Sequence, residues 1–256
     1  MHIIELIDLT KTYRGLKAVN NVNLSVPEGI IYGFLGPNGA GKTTTIKMMA
    51  GILKPTKGSI VINGMDLADN PSGVKKCSGF IPDRPFIYEK LTGWEFLTFT
   101  GGLYGLNEKS SLNSRIAELL ELFELSHWAD ELVESYSHGM KQRLVMCASL
   151  IHDPKVLIVD EPMVGLDPKG ARLVKDIFRD EARRGKTVFV STHSLDIAQE
   201  ICSEIAIIQT GMIIATGSPS ELQEKAGIDG NLENVFLKLT EGPVLAHEKS
   251  LSASHS

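Results

Sequence analysis

The sequence predicts an α/β fold built on a mostly parallel sheet, and three observations carry that prediction. An apolar run at residues 30–35 (IIYGFL) leads into a glycine-rich turn and then a helix-like stretch at 43–53 (TTTIKMMAGIL). Strand, glycine loop and helix in that order open an α/β unit. Three later runs, at 155–161 (KVLIVDE), 186–193 (KTVFVSTH) and 204–211 (EIAIIQTG), are apolar along most of their length. Helical patterns separate them, with Val174, Ile177 and Phe178 on one face and Leu195, Ala198 and Ile201 on the next. Apolar strands between amphipathic helices imply a sheet covered on both sides.

The remaining elements follow in chain order. In residues 1–30, Val22, Leu24 and Val26 alternate with polar neighbours, as in a half-buried antiparallel strand. Gly51 marks the C-terminal end of the helix after the glycine loop. Residues 85–150 read as a helical insert, with Ile116, Leu119, Leu120 and Phe123, then Leu144, Cys147, Ala148 and Ile151, at helical spacing. After Gly211, MIIATG reads as a returning hairpin strand, and 241–256, rich in small polar residues, as a short frayed tail.

Composition narrows the function classes. With 256 residues, 43% hydrophobic and 22% charged, the chain has an ordinary globular balance. Its net charge of -5 and lack of a basic stripe argue against nucleic acid as a partner. Cys77, Cys147 and Cys202 are scattered, which fits neither a disulfide framework nor a zinc site and points to a reducing cytosol. The N-terminus carries Glu5 and Asp8 and no signal pattern, and no run of about 18 apolar residues occurs. A role at a membrane would therefore need a partner that spans it.

Residues 36–44, GPNGAGKTT, fit the pattern G-x-x-x-x-G-K-[ST], between a buried strand and a helix. Gly36, Gly39 and Gly41 let Pro37, Asn38, Ala40 and their neighbours curl so that consecutive N–H groups point inward at phosphate oxygens. The helix N-terminus aims its positive dipole end at the same anion. Lys42 brings a cation to the outer phosphates, and the hydroxyl of Thr43, beside Thr44, can ligate Mg²⁺. A P-loop core of this kind takes a nucleoside triphosphate. At the end of VLIVDEP (156–162), Asp160 sits where α/β sheets place ligands and can hold Mg²⁺. Glu161 beside it is placed to orient or deprotonate water.

Further motifs make the chain resemble the ATP-binding subunits of ABC transporters, over residues 1 to about 240. YSHGMKQRL (136–144) resembles the signature of that family, and GLD (165–167) its D-loop. His193 stands where the family carries its switch histidine, and Tyr13 matches the aromatic that stacks on adenine. The resemblance implies a P-loop ATPase domain at 1–240, with an N-terminal antiparallel β subdomain and a helical subdomain at about 85–150. It implies ATP and Mg²⁺ as cofactors, and a head-to-tail pair in which each ATP lies between one P-loop and the partner's Ser137 and Gly139. It also implies a membrane-spanning permease subunit, docking at residues 83–91 on the inner face of the cell membrane, and an exporter-type branch. Two positions depart from the family pattern: His138 and Met140 replace a glycine and a glutamine, and Asp83 stands where a glutamine usually meets Mg²⁺ and water. An ABC-type ATPase acting on ribosomes or DNA is the alternative, but such proteins usually carry two cassettes, coiled coils or zinc inserts.

Overall fold

A computed structural model describes residues 2–227 and 232–241; residues 242–256 of the expected tail lie outside them. Two sheets organise the chain. β1 (His2–Tyr13) and β2 (Leu16–Pro27) form a long antiparallel hairpin, widened by β4 (Lys57–Ile62) and β5 (Met65–Asp66) in the order β2-β1-β4-β5. The second sheet contains β3 (Ile31–Leu35), β6 (Ser78–Ile81), β7 (Val156–Asp160), β8 (Thr187–Thr192), β9 (Glu204–Gln209) and β10 (Met212–Gly217). Its order is β10-β9-β3-β8-β7-β6, parallel throughout except for the antiparallel edge strand β10.

Each central strand splits its side chains between two cores, which is why it carries almost no polar residue. Ile31 and Leu35 of β3 join Leu157, Val159, Val188 and Val190 in one core. Tyr32 and Phe34, pointing the other way, join Val156, Ile158, Phe189 and the inner face of the β1–β2 hairpin. The helices are α1 (Lys42–Met49), α2 (Pro71–Cys77), α3 (Gly93–Leu103), α4 (Lys109–Leu122), α5 (His138–Leu150), α6 (Pro168–Arg183), α7 (Leu195–Ile201), α8 (Pro219–Ala226) and α9 (Leu232–Glu241). α3, α4 and α5 occupy the stretch read as a helical insert, where Phe96, Ile116, Leu120, Phe123 and Leu144 are buried together.

This topology positions the site. β3, β6, β7 and β8 run parallel, so their C-terminal ends lie along one edge of the sheet. The glycine loop leaves β3 there, Pro82 and Asp83 leave β6, Asp160 ends β7, and His193 follows β8. Crevices at the carboxyl ends of such strands are the usual ligand sites of α/β sheets.

Candidate nucleotide site

A cavity of about 320 Å³ lies at that edge, lined by Ala18, Asn38, Gly39, Gly41, Lys42, Thr43, Thr44, Asp83, Glu161 and His193. The glycine loop forms its floor because two of its glycines leave no room for a side chain. A Cβ on Gly36 would run into the backbone carbonyl of Ile208, and one on Gly41 would fall 2.5 Å from the carbonyl of Ala18. Gly41 also holds φ at 108°, a left-handed geometry in which glycine alone is unstrained, and from it α1 departs. No acidic residue occupies the first turn of α1, so the helix carries no negative charge of its own at the end that faces the cavity.

Lys42 is only 6% exposed and turns back over the loop. Its ammonium donates to the carbonyls of Gly36 at 2.7 Å and Pro37 at 3.3 Å, and lies 3.9 Å from Glu161 Oε1. Burial holds its pKa below the usual lysine value, against the opposing pull of Glu161 and Asp160. An anion entering the loop would relieve that cost, which suits a phosphate-binding lysine.

Asp160 and Glu161 are adjacent in sequence but have different surroundings. Asp160 is 2% exposed and accepts a short hydrogen bond from the hydroxyl of Ser191, its register partner on β8. Burial raises its carboxyl pKa, while hydrogen bonds from Ser191 and Thr43 act in the opposite direction. Glu161 turns out of the sheet at φ 48°, rare for a residue with a side chain, and its N–H donates to Ser191 O at 3.0 Å. That turn brings its carboxylate to Thr192 Oγ1 at 3.3 Å and His193 Nδ1 at 2.9 Å. The side chain of His193 is 56% exposed, so this contact closes the site at its solvent side.

Tyr13 and the pair at the start of α5, read from sequence as nucleotide contacts, do not line this cavity. Tyr13 ends β1 with its ring 44% exposed and Lys11 Nζ 5.3 Å from its centroid, and it is not among the lining residues. Ser137 caps α5, accepting from Met140 N–H at 3.3 Å, with Gly139 two residues on in the first turn; neither lines the cavity. Two contributors escape the sequence reading altogether. Ser191 holds Asp160 only because of the β7–β8 register, which no local motif encodes. Ala18 reaches the cavity from the β1–β2 hairpin, distant in sequence from the glycine loop.

The oxygen donors here suit Mg²⁺. A hydroxyl on Thr43 meets the carboxylate of Asp160, with Asp83 and Glu161 around the same cavity. Among the described residues no group of three or more His, Cys, Asp or Glu could cage a metal by itself. A small oxygen set completed by phosphates and water is the usual pattern for Mg²⁺.

Comparison with known proteins shows the family and the fold. The family described as ABC transporter matches residues 19–164. The chain is 40% identical over 224 residues to the daunorubicin/doxorubicin resistance ATP-binding protein DrrA of Streptomyces peucetius, covering 88% of this chain and 68% of that one. It is 36% identical over 241 residues to the probable multidrug ABC transporter ATP-binding protein YbhF of Escherichia coli, covering 93% of this chain and 41% of YbhF. Among solved structures, an ATP-binding subunit of an ABC transporter superposes with a TM-score of 0.87 at 31% identity, over 93% of this chain and 99% of that one. The ATP-binding cassette MJ0796, a dimer bound to ADP and Pi, superposes with a TM-score of 0.77 at 25% identity, over 84% of this chain and 98% of that one.

Proposed function

The chain belongs to the ABC transporter family as an ATP-hydrolysing subunit, and from that premise we propose that it powers export through a separate membrane-spanning partner. The observation that carries the catalytic part is the convergence of Lys42, Thr43, Asp83, Glu161 and His193 on one cavity. In this reading the loop amides at 36–44 and Lys42 bind the phosphates. Thr43 and Asp160 hold Mg²⁺, with Asp83 acting through a water, and the ion offsets the phosphate charge. Glu161 orients and deprotonates the attacking water, and His193, held at Glu161, meets the γ-phosphate. Tyr13 stacks on the adenine.

Neither Ser137 nor Gly139 reaches the cavity of its own chain, which supports a head-to-tail pair in which α5 of one ATPase subunit completes the site of the other. Ser137 offers a hydroxyl at a helix N-terminus, an anion site that lacks a lysine and needs none opposite Lys42. ATP closes the pair and hydrolysis opens it, a two-state switch biased by the γ-phosphate. Residues 83–91 are the proposed dock for the permease. Phe86 is 84% exposed and Tyr88 60%, with Tyr88 edge-on to Phe99 at 5.5 Å. Exposed aromatics beside Asp83 support a path from partner to site. In this reading the subunit works at the inner face of the membrane, and the relatives named for drug resistance and multidrug transport support the export direction.

The reading is tested by purifying the chain from detergent-solubilised membranes. A multi-span protein should accompany it, and the complex should hydrolyse ATP only with Mg²⁺. An active chain that brings no spanning protein with it would refute the transport reading. Tyr13→Ala should weaken nucleotide binding by about 1–3 kcal/mol, the range for base–aromatic stacking, with little change in the preference for ATP over GTP. Titration with a fluorescent ATP analogue decides this, and unchanged affinity would leave Tyr13 a packing residue under Lys11. Asp83→Asn should slow hydrolysis more than it weakens binding, read as a fall in kcat with KM nearly constant. Unchanged kcat would remove Asp83 from the reaction.

A further inference from the structure

His138, the first residue of α5, stands where the family pattern has glycine, and its imidazole lies against Gly165. A Cβ built on Gly165 would fall 2.5 Å from His138 Nε2 and closer still to Cδ2, so the ring fills the space beside that residue. Gly165 holds φ at 79°, which turns its bare face to the ring. Gly139 packs alongside, the place of its Cβ lying 3.5 Å from the carbonyl of Gly165 and 3.7 Å from the Leu166 side chain. Leu166 is itself partly buried against the main core.

The segment between Glu161 and this contact has little slack. Val164 N–H donates to the Glu161 carbonyl and Leu166 N–H to that of Met163, each at 3.3 Å. Asp167 then caps α6, accepting from Gly170 N–H at 3.1 Å. Leu166 against the main core and the Asp167 cap anchor the far side of this loop, while Val164 and Gly165 between them are exposed.

We propose that His138 is a positioning residue that couples the loop carrying Glu161 to the N-terminus of α5. This rests on the reading that α5 completes the partner's ATP site. Glu161 serves the ATP bound by its own chain, while Ser137 and Gly139 serve the other. The exposed imidazole is the side chain that bridges the two, beside the closer approach of Gly139, so the state of one site is passed to the next through this contact. With glycine at 138 only the packing of Gly139 against Gly165 and Leu166 would remain, and the loop and the helix would be less tightly joined.

The test compares the full chain with its His138→Gly and His138→Gln variants. Wild type is expected to show a Hill coefficient above one for ATP turnover. His138→Gly should lower kcat and bring that coefficient to one, because the two sites then turn over independently. The variant should still bind a fluorescent ATP analogue, because the P-loop is untouched. The planar amide of His138→Gln should restore part of both quantities, whereas a purely structural role would lower Tm and leave the Hill coefficient alone. Equal kcat and equal cooperativity in wild type and His138→Gly overturn the coupling. A Glu161→Gln chain run on a sizing column with ATP separates the two possible failures. If it stays monomeric, the shared site falls and His138 with it. If it dimerises while His138→Gly behaves as wild type, only the His138 coupling falls.

Discussion

Glu161→Gln should reduce ATP turnover about 100-fold or more, the usual contribution of a positioned general base, while ATP still binds. The amide has nearly the same shape as the carboxylate and can still accept from Thr192 and meet His193, so the turn at φ 48° is retained. What is lost is the basic oxygen, together with the negative charge 3.9 Å from Lys42. Without that charge Lys42 has one competitor fewer for the phosphates, so affinity should hold or rise. ATP that binds and is not cleaved should keep two chains together. A sizing column run in Mg²⁺-ATP should therefore show a dimer for the variant, reverting to monomer when ATP is removed. Turnover near the wild-type rate would show that Glu161 is not the base.

Much of this site is legible in the sequence because its parts sit at element boundaries with a strong local signature. The glycine loop is flagged by spacing, and the structure adds that Gly36 is needed for room beside Ile208 while Gly41 is needed for both room and φ. The strand ends at Asp160 and His193 are legible because an apolar run gives way there to an ionisable residue. The hydroxyl of Ser191 is not legible in this way. It lies inside β8, and its bond to Asp160 depends on a pairing between strands separated by α6. The contact of His138 with Gly165 is hidden for the same reason, since it joins a helix start to a loop more than twenty residues on. β4 and α2 also escape the pattern reading. β4 has six residues with only two fully buried, and α2 is a seven-residue helix marked mainly by Asn70 as its cap and Pro71 at its start. Neither carries a long apolar run or a repeated apolar face, unlike the equally short but mostly apolar β3 and β7.

The shared site itself can be tested with two inactive variants. Lys42→Ala removes one partner of a buried charge contact with phosphate, a loss of about 2–5 kcal/mol, so its sites should be silent at ordinary ATP concentrations. Ser137→Arg places a long side chain at the start of α5 and blocks the surface that would meet the partner's ATP. Each variant alone pairs into dimers with two damaged sites. In a mixed pair the Lys42→Ala loop faces the Ser137→Arg helix, so both lesions fall in one site and the other is intact. Equal mixing should then recover up to about a quarter of wild-type Mg²⁺-dependent ATPase activity, since half the pairs are mixed and each has one good site. A chain carrying both substitutions should do the opposite when added in excess to wild type, because every mixed pair then has one lesion in each site. Recovery by the two single variants, with inhibition by the double variant, is the predicted result. Single variants that stay silent together, beside a double variant that leaves wild-type activity intact, would show that each chain works alone and would contradict the shared site.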